Sequence, residues 1–219
     1  MLIAKHIVKI VIVSNVTLME GKEMKKGIAY FIPNSKQYKE MIEADYKYLC
    51  AFKNKEEMPK SYLKGYEWRT TVAYRQLQAN QDNIWKKYYE KKLHRLELKT
   101  GISFENNMTI GKGFIIGHWG CIIINGKATF GEEFFVTHNV TIGRDIRGKR
   151  KGVPTFGNRV VVRTNATVVG NIHIGNDVLI APNTFVNFDV PDHSVVVGNP
   201  ATIHHRENAT EGHLPNVTW

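Results

Sequence analysis

A six-residue spacing between apolar positions dominates the second half of this 219-residue chain. Thirteen positions follow it: Phe104, Ile110, Ile116, Ile122, Ala128, Phe134 and Val140, and, after a break, Phe156, Val162, Val168, Ile174, Ile180 and Val186. Because only 42% of the residues are hydrophobic, this is not a chance pattern. A six-residue period fits neither an amphipathic helix nor alternating strands, and predicts a hexapeptide solenoid in which short strands alternate with tight turns.

Three hexads close one turn of such a solenoid, so the thirteen positions predict about four coils. The break between residues 144 and 154 is expected to leave the coil as an external loop. We expect the solenoid to occupy residues 102–203 and a C-terminal tail to occupy residues 204–219.

The first half of the chain carries helical signals instead. Ser35 is a possible helix cap, the basic run from Lys86 to Leu98 ends at Gly101, and residues 54–65, with Pro59, are typical of a connection. An apolar stripe at helical spacing comprises Tyr38, Met41, Ile42, Leu49 and Cys50. These signals predict a helical region at residues 35–101, preceded by a segment, residues 1–34, whose structure the sequence leaves open.

The chain is basic, with a formal net charge of +10. This charge favours a polyanionic partner, such as an anionic membrane or a phosphate-rich small molecule, and the absence of nucleic-acid signatures argues against nucleic acid. Two cysteines are too few for a disulfide framework or a cysteine zinc site, which favours a reducing, cytoplasmic location. The apolar run from Ile10 to Val13 is too short for a signal sequence or a membrane span.

Four segments together resemble a known family: residues 113–125 (GFIIGHWGCIIIN), 137–143 (THNVTIG), 148–154 (GKRKGVP) and 190–201 (VPDHSVVVGNPA). They are similar to the serine acetyltransferase-like branch of hexapeptide acyltransferases, and within it to members associated with capsule, lipopolysaccharide and exopolysaccharide synthesis. The resemblance covers residues 100–203 well and residues 35–100 loosely. It implies a left-handed parallel β-helix, acetyl-CoA as acyl donor, and a homotrimer with active sites between subunits.

Acetyl transfer from a thioester to a hydroxyl needs a base, and imidazole suits that role near neutral pH. His118, between Gly117 and Trp119, matches the catalytic histidine of the family; a plain surface histidine is the alternative. His138 follows by one 18-residue coil plus two residues, which predicts an offset of about 4.8 Å up the solenoid and about 6.6 Å along it. It is expected to orient the acceptor or the thioester carbonyl, or else to be a groove histidine bonded to its neighbours.

The resemblance also assigns the donor and acceptor sites. Residues with short side chains, Gly143, Thr164, Ala181 and Pro182, would flank the pantetheine arm. Two arginines, Arg163 and Arg206, would hold the 3′-phosphate of CoA. Arg144, Arg147, Lys149, Arg150 and Lys151 in the external loop, opposed by Asp145, are expected to hold CoA phosphates or an acidic glycan, unless the loop is simply solvated. The candidate acceptor-binding residues are Trp119, Asn139, Arg147 and Arg150. No metal site is predicted.

Three family residues are missing. Ser103 stands where an aspartate would orient the catalytic histidine, with Glu105 nearby as a possible substitute; Gly126 replaces a glutamate and Val153 a histidine. A free amino acid needs charged partners, so these losses favour an uncharged sugar hydroxyl as acceptor. The expected function is therefore acetyl-CoA-dependent O-acetylation of a sugar or polysaccharide precursor.

Three alternatives remain open. One is a serine O-acetyltransferase of cysteine biosynthesis, which differs only in the acceptor. Another is a non-catalytic solenoid that binds an anionic partner. The third, a zinc carbonic anhydrase, would need more converging histidines than His118 and His138 supply.

The basic helix around Lys86, Lys87, Lys91, Lys92 and Arg95 raises a separate question. It is either a peripheral contact with an anionic membrane or a solvated helix face.

Overall fold

The computed structural model describes residues 36–105 and 108–219, and residues from Lys36 onward belong to one compact unit. The open segment 1–34, the possible cap Ser35 and the side chain of Tyr38 lie outside the described residues.

Four helices occupy the first part of the described chain: α1 (Lys36–Phe52), α2 (Lys60–Leu63), α3 (Tyr66–Gln78) and α4 (Lys86–Thr100). Helix α4 ends where Gly101 adopts a left-handed φ of 70°, a conformation that costs glycine little. The predicted connection at residues 54–65 contains the one-turn helix α2, which begins directly after Pro59. None of the described helices is long and apolar enough to cross a membrane.

Short strands follow. They are β1 (Ser103–Phe104), β2 (Thr109–Ile110), β3 (Ile115–Ile116), β4 (Ile123–Ile124), β5 (Thr129–Phe130), β6 (Phe135–Val136), β7 (Thr141–Gly143), β8 (Thr155–Phe156), β9 (Val160–Val162), β10 (Thr167–Val169), β11 (His173–Ile174), β12 (Val178–Ile180), β13 (Phe185–Val186), β14 (Ser194–Gly198) and β15 (Ala201–His205).

The strands stack into three parallel sheets, ordered β1-β4-β7-β10-β13, β2-β5-β8-β11 and β3-β6-β9-β12-β14, which we call the first, second and third sheets. Each of the first four coils contributes one strand to each sheet in turn, and this arrangement is a parallel β-solenoid. All thirteen positions of the six-residue pattern are buried in its interior, as the pattern predicted.

The solenoid has five coils, and the prediction of about four was wrong. The fifth coil consists of β13, a bridge between Ile174 and Val190, and β14. It is short: Val190 follows its partner Ile174 by only 16 residues. The six-residue spacing therefore ends at Val186, although the chain continues to coil.

Two hydrogen-bonded networks attach the described helices and the C-terminal residues to the solenoid. In the first, the buried side chains of Arg75 in α3 and Asp45 in α1 form an ion pair at 2.7 Å. Arg75 also donates to the carbonyl oxygens of Ile110 and Gly111, while Asp45 accepts from backbone N–H groups of the first coil at Gly113 and Phe114. Burial raises the pKa of Asp45, and the Arg75 charge opposes that shift.

The second network holds the C-terminal residues. Strand β15 pairs antiparallel with β14, so the boundary expected at residue 203 falls inside a strand. Asp177 then accepts hydrogen bonds from the N–H groups of Ala209 and Thr210. Farther along, the Trp219 indole donates to the buried Glu133 at 3.0 Å. The expected tail is therefore packed against the coils.

Candidate active site

One corner of the solenoid carries most of the predicted site residues. It consists of the turns that lead from the third sheet to the first, residues 117–122, 137–140, 163–166 and 181–184, and we call it the histidine corner. Strand pairing aligns Ile116 with Val136, Val136 with Val162, and Val162 with Ile180. The residues that lie two positions after each of these four are therefore equivalent, and they stack on successive coils: His118, His138, Thr164 and Pro182. One position earlier, Gly117, Thr137, Arg163 and Ala181 form a parallel row.

The two histidines are adjacent. The His118 and His138 ring centroids lie 5.9 Å apart, with the ring planes at 70°. His118 is exposed and His138 is half-buried. The Nδ1 atom of His138 is buried and has no hydrogen-bond partner among the described residues, so one polar atom of the pair is left unsatisfied.

The predicted offset of two residues between the histidines was wrong. Ile115 pairs with Phe135, which follows it by twenty residues, whereas Val161 pairs with Leu179 after eighteen. The turn at residues 117–122 is two residues longer than the turn at residues 137–140, so this coil spans twenty residues, and the pairing of β3 with β6 places His138 directly over His118. The six-residue run concealed the insertion because Ile122 before β4 and Ile124 within it are both buried.

The longer turn is closely packed on one side and open on the other. A Cβ at Gly117 would lie 2.5 Å from the Phe135 ring, so a larger residue there would have to displace that ring. Trp119 remains 45% exposed, and its ring contacts Tyr66 of α3 edge-on, with centroids 5.5 Å apart. Asn139 is exposed with a left-handed φ of 58°, and its N–H donates to the Gly120 carbonyl oxygen at 2.9 Å. Asn139 thus has a clear structural role in the turn.

Neither candidate for orienting His118 contacts it. Glu105 accepts a hydrogen bond from the Gly126 N–H at 2.8 Å, and Ser103 lies in β1, paired with Ile123. The suggestion that Glu105 replaces the missing aspartate therefore fails within this chain, because its carboxylate is occupied elsewhere. A Cβ at Gly126 would lie 2.6 Å from the Glu105 Cβ, which explains the glycine at that position. Throughout residues 36–105 and 108–219, no side chain hydrogen-bonds His118.

The external loop lies at a different corner of the chain. It connects β7 of the first sheet to β8 of the second and is closed by hydrogen bonds between the backbones of Asp145 and Gly152. Its five cations, Arg144, Arg147, Lys149, Arg150 and Lys151, are exposed. Val153 is half-buried beside them. The carbonyl oxygen of Arg150 accepts from the Asn171 N–H at 2.8 Å, so the loop is tied to the fourth coil.

The predicted donor-site residues thus divide into two groups. Arg163, Thr164, Ala181 and Pro182 share the histidine corner, and the Arg163 guanidinium lies 5.9 Å from the Phe135 ring. Gly143 ends β7 at the loop, and Arg206 follows β15, where its N–H donates to His193. Within one chain, Gly143, the loop cations and Arg206 do not converge on the histidines.

Sequence reasoning missed two features of the site. The contact between Tyr66 and Trp119 joins residues 53 positions apart (119 minus 66), and no periodic signal marks it. The longer turn had a signal, because glycines at 117 and 120 bracket His118 and Trp119 while no glycine occurs at residues 137–140. As for metals, the described part of the chain contains no group of three or more histidine, cysteine, aspartate or glutamate side chains arranged to hold an ion.

No protein-family model matches the chain. Among curated proteins, it is 39% identical over 102 residues to a serine acetyltransferase of Helicobacter pylori, covering 47% of this chain and 60% of that protein. It is 33% identical over 167 residues to serine acetyltransferase 4 of Arabidopsis thaliana, covering 70% of this chain and 44% of the plant protein. The chain therefore spans less than two thirds of the length of these relatives.

Solved structures show the fold. The crystal structure of a serine acetyltransferase from Neisseria gonorrhoeae matches with a TM-score of 0.64 and 23% identity, over 78% of this chain and 66% of that one. A serine acetyltransferase in complex with CoA matches with a TM-score of 0.64 and 17% identity, over 77% of this chain and 70% of that one. These likenesses confirm the predicted left-handed parallel β-helix.

Proposed function

We propose that the protein is an acetyl-CoA-dependent O-acetyltransferase that works at the histidine corner. The observation that carries this proposal is the exposed imidazole of His118, which lies directly over His138 on a corner where Thr164, Ala181 and Pro182 follow on the next coils. An exposed base can take the proton of an acceptor hydroxyl as that oxygen attacks, and a second imidazole beside it can hydrogen-bond the reacting group.

The chemistry assigns one role to each histidine. As the acceptor oxygen attacks the thioester carbonyl, His118 takes the hydroxyl proton and a tetrahedral intermediate forms. Its collapse breaks the carbon–sulfur bond, and the imidazolium of His118 returns the proton to the departing thiolate. His138 donates a hydrogen bond to the carbonyl oxygen while negative charge develops there, the stage at which such a bond contributes most.

The donor would lie along the same corner. Thr164, Ala181 and Pro182 have short side chains that let an extended pantetheine arm approach the backbone. Arg163 precedes them and supplies a cation for a CoA phosphate. The loop cations lie at another corner, so they contribute only if a neighbouring subunit brings its loop to this one; the homotrimer implied by the family resemblance would provide that arrangement.

L-Serine is the acceptor best supported by the comparisons. The relatives in Helicobacter pylori and Arabidopsis thaliana are both named serine acetyltransferases, and one structural neighbour is a Neisseria gonorrhoeae serine acetyltransferase in complex with serine. We therefore rank serine above the sugar acceptor that the sequence favoured.

A sugar hydroxyl is the second candidate, and Trp119 favours it. This ring is 45% exposed beside His118 and is braced by Tyr66, as expected of a platform for an apolar or sugar face. Gly126 and Val153, at the corner of the external loop, are also uncharged, so a neighbouring subunit that brings this corner to the histidines supplies fewer partners for the ammonium and carboxylate of an amino acid.

The test is thiol release from acetyl-CoA in the presence of L-serine or of a panel of sugars and nucleotide sugars. Acceleration by serine alone supports the first candidate. Acceleration by a sugar, together with a loss of that activity in Trp119→Ala, supports the second. CoA binding without turnover on any acceptor contradicts the enzymatic proposal and favours a non-catalytic solenoid.

A further inference from the structure

Helix α4 and the turn before it present an unusual face to solvent. The buried residues Tyr89, Leu93, Leu96 and Thr100 share one side of the helix. At about 100° per residue, the opposite arc of about 140° contains only exposed side chains: Lys87, Tyr88, Lys91, His94, Arg95, Leu98 and Lys99. Ile84, in the turn before the helix, is exposed as well. We call this set the α4 outer face.

The apolar members of the α4 outer face are highly exposed. Ile84 is 89%, Tyr88 58% and Leu98 74% exposed. Within the helix, Tyr88, Lys91, Arg95 and Leu98 follow one another at spacings of three, four and three residues, which places them in a single stripe. Ile84 precedes this stripe in the turn before the helix. The stripe therefore has apolar ends and a basic centre, an arrangement that gives the isolated fold no stability.

The charges on this face have one sign. Lys87, Lys91, Arg95 and Lys99 belong to it, and neither aspartate nor glutamate occurs on it between residues 84 and 99. The acidic residues of α4, Glu90 and Glu97, lie on the flank, where Glu97 accepts from the Phe104 N–H at 3.0 Å. The face is therefore cationic even though the helix contains carboxylates.

One aromatic ring, that of Tyr88, is exposed near the N-terminal end of the face. It lies 6.3 Å edge-on from the half-buried Trp85 ring and 5.1 Å from the buried Tyr89 ring. Tryptophan and tyrosine favour the headgroup region of a bilayer because they combine an apolar ring with a polar group.

We propose that the α4 outer face binds the surface of an anionic lipid bilayer, with the helix parallel to the membrane plane. Ile84 and Leu98 enter the headgroup region at the two ends, and Lys87, Lys91, Arg95 and Lys99 contact anionic headgroups between them. A second copy of the face is a poor partner because it would place cation against cation. Nucleic acid would attract the charges but leave Ile84 and Leu98 in water.

The experiment is cosedimentation of the full chain with vesicles of phosphatidylcholine, with or without phosphatidylglycerol. We expect binding only when phosphatidylglycerol is present. Binding should be lost as salt is raised from about 0.1 M to about 1 M, because the Debye length falls from about 10 Å to about 3 Å.

Variants distinguish binding through the α4 outer face from binding through the overall net charge of the chain. K87Q/K91Q/R95Q should weaken binding by about 100-fold, at about five-fold for each basic residue removed near the surface. The matched control, K55Q/K60Q/K64Q, removes the same charge from exposed lysines around α2 and should retain binding within a few-fold. I84S/L98S keeps every charge and should weaken binding by about ten-fold. Circular dichroism melting curves check that each variant is folded.

Three results would overturn the proposal. The first is no sedimentation with phosphatidylglycerol vesicles. The second is equal loss in the two triple variants, which would mean that net charge alone attracts the chain. The third is full binding by I84S/L98S, which would mark the face as a purely electrostatic surface for an acidic macromolecule.

Discussion

His118 and His138 occupy equivalent positions on successive coils, and their ring centroids are 5.9 Å apart. Each is the second residue after its strand, and β3 and β6 pair in register with Ile116 opposite Val136. The two extra residues in the turn after β3 explain why twenty residues rather than eighteen separate the histidines. The pairing of β3 with β6 is thus the local feature on which the proposed chemistry depends.

The first prediction concerns His138. Removing a donor to the developing oxyanion typically lowers kcat by about 100-fold or more, so H138A should reduce the maximal rate of thiol release to that extent. H138Q, which retains a side-chain N–H donor, should recover part of the rate. Unchanged turnover and unchanged acceptor KM in H138A would show that His138 is only a groove residue.

The second prediction concerns the turn before His118. Gly117→Ala places a methyl group 2.5 Å from the Phe135 ring, and overpacking of this kind costs about 1–3 kcal/mol. We expect a lower Tm and slower thiol release because the imidazole of His118 is displaced. Gly143→Ala is the stability control, since its Cβ would meet Val169 at an ordinary 3.4 Å. Equal melting temperatures for the two variants would contradict this packing argument.

The third prediction concerns the ion pair between α1 and α3. Arg75→Ala leaves the carboxylate of Asp45 buried without its cation, which costs about 3–5 kcal/mol. Denaturant unfolding should show this loss, whereas Arg69→Ala, at an exposed position of the same helix, should change the stability by less than about 0.5 kcal/mol. A loss below about 1 kcal/mol in Arg75→Ala would mean that the helices are held mainly by apolar packing.

The fourth prediction uses the pH dependence of Asp177. Burial would raise the pKa of Asp177, but hydrogen bonds from Thr210, His193 and Ala209 outweigh it and hold the pKa below its ordinary value of 3.8. A lowered native pKa stabilises the fold above the unfolded pKa, and the contribution is lost as the pH falls through the native value. Asp177→Asn should therefore lower the free energy of unfolding by about 2 kcal/mol at neutral pH.

That difference from wild type should shrink once the pH falls below 3.8, because the carboxyl is then protonated first in the unfolded chain and, at lower pH, in the native state. Asp82→Asn, at an exposed site, serves as the control and should change the free energy of unfolding at neutral pH by less than about 0.5 kcal/mol. A difference for Asp177→Asn that stayed constant with pH would show that the charge of Asp177 is not what holds residues 209 and 210.

The sequence predicted the features that repeat. The inward positions from Phe104 to Val140 and from Phe156 to Val186 recur every six residues, and all of them are buried. Repetition of this kind is visible in a single chain because every coil must bury the same face against its neighbours.

Features that occur once escaped prediction. The pairing of Arg75 with Asp45, the indole of Trp219 at Glu133 and the contact of Tyr66 with Trp119 each join distant residues, and no local pattern marks such contacts. The fifth coil and the longer turn at residues 117–122 belong to the repeat but differ in length from the other coils. The short fifth coil breaks the six-residue spacing, whereas the two extra residues of the turn leave apolar residues at that spacing and so go unnoticed.

The most direct test of the proposed function compares wild type and H118A in thiol release from acetyl-CoA with L-serine as acceptor, and measures acetyl-CoA affinity separately. General-base catalysis by a positioned side chain contributes about 100-fold to 10,000-fold. We predict that H118A loses kcat within that range while still binding acetyl-CoA. A variant that turns over within a few-fold of wild type would contradict the assignment of His118 as the base.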